Sequence, residues 1–328
     1  QASTNSDSDS NRVLPRSGRS KVLQEAMPAL HLADAEVAVL YSLRQGVFLQ
    51  GESGTLQGPP LAELMSWLDY LGRVFPGGGH RPVAKLSDAL HEAVASADDK
   101  LSVEAFEKLM DNRGLDRIPP EAGLKPNAFW RHCQGFTCGL WTLFHLLSQA
   151  AKSTSSESAG EELLLRVRGF VENFFGCGYC REHFLEAFDG CKLERCSLAK
   201  DDLDGAALWL WKMHNDVTLR VAKEDGREIP SPWPSAEDCE ECWICQDCWK
   251  KGSRSDDDFK RAAILAYLRQ EFSSPEWHEE RHWLSGDFSA NRAMPLAAVS
   301  ALLLAAAALR CLRSGRGEDA RGKDAKDS

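Results

Sequence analysis

A positive face is what this sequence most clearly lacks. Its 39 Lys and Arg stand against 49 Asp and Glu, for a formal net charge of −10. A general nucleic-acid binder needs a basic patch to meet phosphates, and no Lys/Arg stripe is present, so that class is set aside. Strand-type alternation of apolar and polar residues is not apparent either, which argues against a sheet protein. The stretch from Pro28 to Ala97 holds no cysteine, so it takes no part in thiol chemistry. The chain starts at Gln1 without an initiator Met or a charged-then-apolar leader, and no signal peptide is expected in it. Long apolar runs reduce to one uncharged segment, Met294 to Leu309.

What is present points to an all-α chain. At 328 residues there is room for two folded domains plus tails. Residues 1–20, rich in Ser, Asn and Asp, suit a disordered linker. Residues 21–100 form a helical block, with Leu61, Leu64, Met65, Leu68, Leu71, Val74 and Phe75 at three- and four-residue spacing and Pro76-Gly77-Gly78-Gly79 as punctuation. Residues 101–126 read as a connection with one short helix, Val103 to Met110, before Pro119-Pro120 and Pro126. A second helical domain spans 127–250, with helices expected over Leu140 to Ala151, Leu163 to Phe175, Arg181 to Phe188 and Leu203 to Val221. An amphipathic helix follows within 251–285. Residues 294–312 are a candidate transmembrane helix if Arg310 snorkels. The basic tail, 313–328, is then cytosolic and everything upstream lumenal or extracellular.

Eleven cysteines are many for a reduced cytosolic protein, and several have C-x-x-C spacing, which suggests redox chemistry, a metal or an oxidising compartment. The most informative stretch is Phe174-Phe175-Gly176-Cys177-Gly178-Tyr179-Cys180-Arg181-Glu182-His183, a C-x-x-C where one helix ends and the next begins. The positive end of a helix favours the thiolate, which makes one cysteine a usable nucleophile and leaving group. Zinc sites share the spacing but pair with a second C-x-x-C nearby, and the next one here, Cys239/Cys242, is distant. Trp141 and His145 sit one helical turn apart, and Trp211, His214 and Asn215 share another face. With Trp233 they offer flat stacking surfaces and a few hydrogen-bonding groups, as a flavin and its adenine require. Cys191 and Cys196 suit a local disulfide stapling the loop after the active-site helix. Cys245 and Cys248 extend the later pair into C-x-x-C-x-x-C-x-x-C, a run that fits zinc or an iron–sulfur cluster, although a lumenal location favours disulfides and no resident metal is expected. Cys311 is left over beside the apolar run, an unmodified thiol or a palmitoylation site.

Taken in order, Cys133-Gln134-Gly135, Cys138 through His145, Phe174 through His183, and Trp209-Leu210-Trp211 to Asn215 resemble the Erv/ALR-type flavin domain of quiescin sulfhydryl oxidases. The preceding block is similar to that family's flavin-free pseudo-Erv domain, most tellingly at Tyr41-Ser42-Leu43-Arg44 and Val74-Phe75-Pro76-Gly77. The resemblance implies an FAD-dependent thiol oxidase that joins two thiols as a disulfide and reduces oxygen to hydrogen peroxide. In it Cys180 is the flavin-proximal sulfur and Cys177 the sulfur that meets the incoming dithiol. Trp141, His145, His183, Trp211, His214, Asn215, Thr218 and Trp233 contact FAD. Cys133–Cys138 is a structural disulfide and Cys239–Cys242 an accessory pair.

The sequence also departs from the family. Only Gln134 to Thr137 separate Cys133 from Cys138, without the flavin-contacting Arg that the family carries there. Pro230 stands where it has a flavin-contacting Lys, and Tyr179 replaces an often acidic residue. No counterpart of the family's thioredoxin domain lies in these 328 residues. The expected electron donors are therefore small dithiols or a separate thioredoxin-like carrier, with protein substrates oxidised slowly and oxygen as acceptor. A monomer is expected, because the pseudo-domain takes the place of a dimer partner. Two other readings are a redox-inactive, membrane-tethered helical interaction module, motivated by the missing Arg and Lys, and a zinc-binding lumenal protein.

Overall fold

A computed structural model describes residues 21–49, 54–76, 80–115, 117–118, 120–123, 128–153, 156–244 and 258–273. Helix α1 (Lys21–Tyr41) runs into a π-helical turn at Ser42–Gly46. Helices α2 (Gly58–Val74), α3 (His80–Ala95) and α4 (Val103–Asn112) follow. Then come α5 (Phe136–Ala150), α6 (Ala159–Phe174), α7 (Gly178–Asp189), α8 (Leu203–Glu224) and α9 (Arg261–Phe272).

Local chemistry sets these boundaries. Pro59 and Pro60 occupy the first turn of α2, where a missing N–H leaves no hydrogen bond unmade, and the helix stops at Phe75-Pro76. Ser102 caps α4 by accepting the Ala105 N–H, and Asp202 caps α8 by accepting that of Gly205. On α2, Leu61, Leu64, Trp67, Leu68 and Leu71 are all buried, one helical stripe facing inward.

The helical expectation holds, with one addition. Strands β1 (Thr55–Gln57) and β2 (Lys100–Ser102) pair antiparallel, Leu56 opposite Leu101. Each carries one inward residue, too few for a period-two pattern to register in the sequence.

The cysteine-free half and the cysteine-bearing half share a core. Helix α1 lies along α5, α2 packs on α3 and α6, α8 on α5 and α6, and α9 closes over α1, α5 and α8. Trp67 of α2, fully buried, meets Phe170 of α6 at 4.9 Å between ring centroids, and Phe170 meets Phe144 of α5 at 6.1 Å. Gly46 is needed for this approach. A Cβ there would stand 2.9 Å from the carbonyl oxygen of Phe174, the residue that ends α6 just before the C-x-x-C.

Among the described residues no helix is long and apolar enough to cross a membrane. The candidate span at 294–312, the tail at 313–328, the linker at 1–20 and the cysteines Cys245, Cys248 and Cys311 lie outside the described residues.

Candidate active site

Cys177 is the N-cap of α7. Its backbone is extended (φ −80°, ψ 99°) and its Sγ accepts the N–H of Cys180 at 3.3 Å. The two cysteines are joined as a disulfide, with Cα atoms 5.3 Å apart. Cys177 is exposed and Cys180 half-buried, so the first is the more open of the two to an incoming reactant. Around the spacer, the Tyr179 hydroxyl donates to Glu224 Oε1 at 3.0 Å. Arg220 pairs with that carboxylate and stacks over the Tyr179 ring at 5.3 Å. The hydrogen bond from Arg220 holds the Glu224 carboxyl below its ordinary range. His183 meets Tyr179 edge-on at 4.3 Å.

A second constellation is built across α5, α8 and the loop after α8. Trp141 and His145 project from one face of α5, and His214 from α8 lies flat against Trp141, 4.6 Å between centroids and 6° from parallel. His145 Nε2 and His214 Nδ1 lie within hydrogen-bond distance, at 3.2 Å. Trp233 approaches both rings, at 5.1 and 5.4 Å. Burial pushes His145 well below the usual imidazole range, helped by the neighbouring His214 and His31, and pushes His214 down to about 4. Both are neutral near pH 7 and stack as uncharged heterocycles. His145 Nδ1 is buried without a hydrogen-bond partner among the described residues.

Trp233 is held by the other predicted residues. Asn215 Nδ2 donates to the Trp233 carbonyl at 2.7 Å, and Asn215 Oδ1 accepts the Trp233 N–H at 2.8 Å. Trp211 Nε1 donates to the same carbonyl at 2.7 Å. Trp211 and Asn215 thus devote these polar groups to presenting Trp233. Thr218 is exposed and donates to the His214 carbonyl. From Trp141, rings step through Phe144, Phe170 and Phe174 at 6.0, 6.1 and 6.0 Å, reaching the end of α6 beside the C-x-x-C.

Several members of this region were not singled out from the sequence. His31 of α1 stacks on Phe272 of α9 at 4.6 Å, and its Nε2 is 3.3 Å from Glu271 Oε2. Phe272 also meets His145 at 5.3 Å and Trp233 at 6.0 Å. Asp34, fully buried, accepts the backbone N–H groups of Arg131, His132 and Cys133. Partners this distant in sequence leave no local pattern to find. The remaining described cysteines are paired as Cys133–Cys138, Cys191–Cys196 and Cys239–Cys242.

The site thus combines a cystine at a helix N-terminus with a line of packed rings that leads to a cluster of stacked heterocycles. Residues 138–243, which hold both constellations, match the Erv1 / Alr family model. The chain carries an Erv1/Alr-family domain. Relatives of the Erv1/Alr-bearing chain include sulfhydryl oxidase 1 of Gallus gallus, 31% identical over 74% of this chain and 32% of that protein. Human sulfhydryl oxidase 2 is 33% identical over 74% of this chain and 34% of its own length. The chain spans about a third of the length of these curated relatives. Among solved structures, a sulfhydryl oxidase fragment of human QSOX1 superposes with a TM-score of 0.57 at 28% identity, covering 74% of this chain and 95% of that one. The structural match, at 74% of this chain, extends beyond residues 138–243.

Proposed function

We propose that this chain is an FAD-dependent thiol oxidase whose reactive centre is Cys177–Cys180. The observation that carries the reading is the asymmetry of that pair at the N-terminus of α7, one sulfur exposed and capping the helix, the other half-buried. An incoming thiolate attacks Cys177 Sγ, and the electron pair of the broken bond leaves on Cys180. The second substrate thiolate then attacks the substrate sulfur of the mixed disulfide, releasing oxidised substrate. Cys177 departs as a thiolate stabilised by the Cys180 N–H and the positive helix end. The substrate is a small dithiol or a separate thioredoxin-like carrier.

The residues fit a flavin. Trp141, His214 and Trp233 offer flat faces, the neutral imidazoles add no charge, and the unsatisfied His145 Nδ1 is a hydrogen-bonding position ready for a heteroatom. Bound FAD supplies acceptance of the electron pair from the reduced dithiol and its transfer to oxygen, giving hydrogen peroxide. His183 and Thr218 belong to the outer edge of that pocket in this reading, and Asn215 and Trp211 act through Trp233.

An oxidising compartment of the secretory pathway suits four disulfides in the described residues. We place the catalytic part on the lumenal or extracellular side, tethered through 294–312, on the uncharged run and the arginines that follow it. The test of the activity is an absorbance spectrum of the purified chain with oxygen uptake recorded on addition of dithiothreitol. A bound-flavin band with uptake, and no uptake from Cys180→Ser, is the expected result. Colourless protein after FAD reconstitution, or full uptake by Cys180→Ser, refutes the assignment.

A further inference from the structure

The three described disulfides outside the C-x-x-C motif of α7 differ in burial. Cys239 and Cys242 are both buried, Cys133 is buried while its partner Cys138 is exposed, and Cys191 and Cys196 are both exposed. This last pair closes the 3₁₀ turn after α7, where Cys191, Leu193 and Glu194 hold left-handed φ values of 57°, 57° and 62°. Residues with a Cβ seldom adopt that conformation, so the closed bond helps to retain a backbone that relaxes when released. A cavity of about 180 Å³ lined by Leu193, Leu198 and Trp209 borders the turn.

Beside the sulfurs stands Arg195. Its Nε donates to the Phe188 carbonyl at 2.6 Å and its guanidinium stacks on the Phe188 ring at 4.1 Å. Its Nη2 lies 3.0 Å from Cys196 Sγ and 3.9 Å from Cys191 Sγ. Both contacts to Phe188 are made to α7 and do not involve the cystine.

We propose that Cys191–Cys196 is a second thiol-exchange site, at which a low-molecular-weight thiol forms a mixed disulfide on Cys191. The incoming thiolate attacks Cys191 Sγ. One S–S bond forms to Cys191 as the Cys191–Cys196 bond breaks, and the electron pair leaves on Cys196 Sγ as a thiolate facing Arg195. One thiolate is consumed and one released, so no further oxidant or reductant enters this step. A neighbouring guanidinium lowers the pKa of the departing thiol and speeds its departure, and its closer approach to Cys196 sets the direction. The turn is coupled to α8 through Lys192, whose Nζ pairs with the buried Asp216 at 2.7 Å and whose carbonyl accepts Trp209 Nε1. Modification at Cys191 therefore acts on a segment tied to the helix that carries His214.

The experiment is anaerobic incubation of the intact chain with glutathione, acid quenching, alkylation and peptide mass spectrometry over time. Glutathione on Cys191 with alkylated Cys196 is expected, opening about tenfold faster than Cys133–Cys138 and Cys239–Cys242. Arg195→Met should slow the opening about tenfold, with Arg195→Lys restoring most of the rate. The rate at Cys239–Cys242 in the same samples controls for general loosening. Glutathione on Cys196, an unchanged or faster opening in Arg195→Met, or a closed Cys191–Cys196 bond while Cys133–Cys138 or Cys239–Cys242 opens, overturns the proposal. The readout needs neither flavin nor oxygen uptake, so its failure and that of the oxidase reading are distinguishable.

Discussion

Replacing Asp34 with alanine should be among the most damaging single changes outside the cysteines. The side chain is fully buried and accepts three backbone N–H groups, from Arg131 at 2.6 Å, His132 at 2.9 Å and Cys133 at 2.6 Å. A hydrogen bond to a charged group contributes about 1.5–3 kcal/mol, and a buried donor left alone costs about 1–3 kcal/mol. Arg131 and His132 are exposed residues whose N–H groups can recruit water, so their share falls towards the lower end, whereas the Cys133 N–H is buried with its residue. Taken together, Asp34→Ala should destabilise by roughly 4 kcal/mol. In a unit of this size that lowers the melting temperature by roughly 10 °C. Asp34→Asn should fall between the two, since the amide oxygen still accepts while its NH2 faces other donors. Urea denaturation with the disulfides intact measures the difference. A loss below about 1 kcal/mol would mean that the loop before Cys133 stands on its own and that α1 does not organise the start of α5.

Acidification provides an independent check. His214 is neutral in the folded chain down to about pH 4, and His145 is depressed as well, while both protonate near 6.5 once unfolded. The unfolded state therefore takes up more protons below 6.5, and stability present above that pH is lost as pH falls towards 4, by up to about 3 kcal/mol for His214 alone. His214→Gln should flatten that limb in denaturation curves recorded between these pH values, and an unchanged slope would contradict the burial argument. Gly139→Ala places a Cβ about where the Trp130 ring now sits. It should cost about 1–3 kcal/mol by overpacking, read by thermal unfolding, and a neutral result would show that Trp130 yields freely. Trp141→Ala removes the face stacked on His214 and should cost about 3 kcal/mol in stability as well as flavin retention, measured by the flavin-to-protein absorbance ratio.

Much of the helical frame was legible because its signals are local. The spacing along α2, the stop at Phe75-Pro76 and the motif around Cys177 each lie within a few residues, and the helix ends form where those signals place them. Trp141, His145 and His214 were visible as aromatic and imidazole groups one turn apart, and they do meet. Hidden from the sequence were the tasks assigned across space. Asn215 and Trp211 hold the Trp233 backbone, because the loop returns that residue to α8. His31 and Glu271 find one another across 240 positions, and Asp34 reaches Cys133 across 99. A single sequence carries no local trace of such pairings, and the three-residue ribbon fails for the complementary reason that each strand is too short to show its period.

The placement of Phe272 bears on when the cluster can form. Its ring touches His31 near the start of the described chain, His145 in the middle and Trp233 near the end, so three distant segments wait for one late residue. Contacts of such long separation demand loop closure before they return any stabilisation, and they slow folding. The cluster around His145 and Trp233 is therefore closed only when α9, the last of the described helices, docks against it.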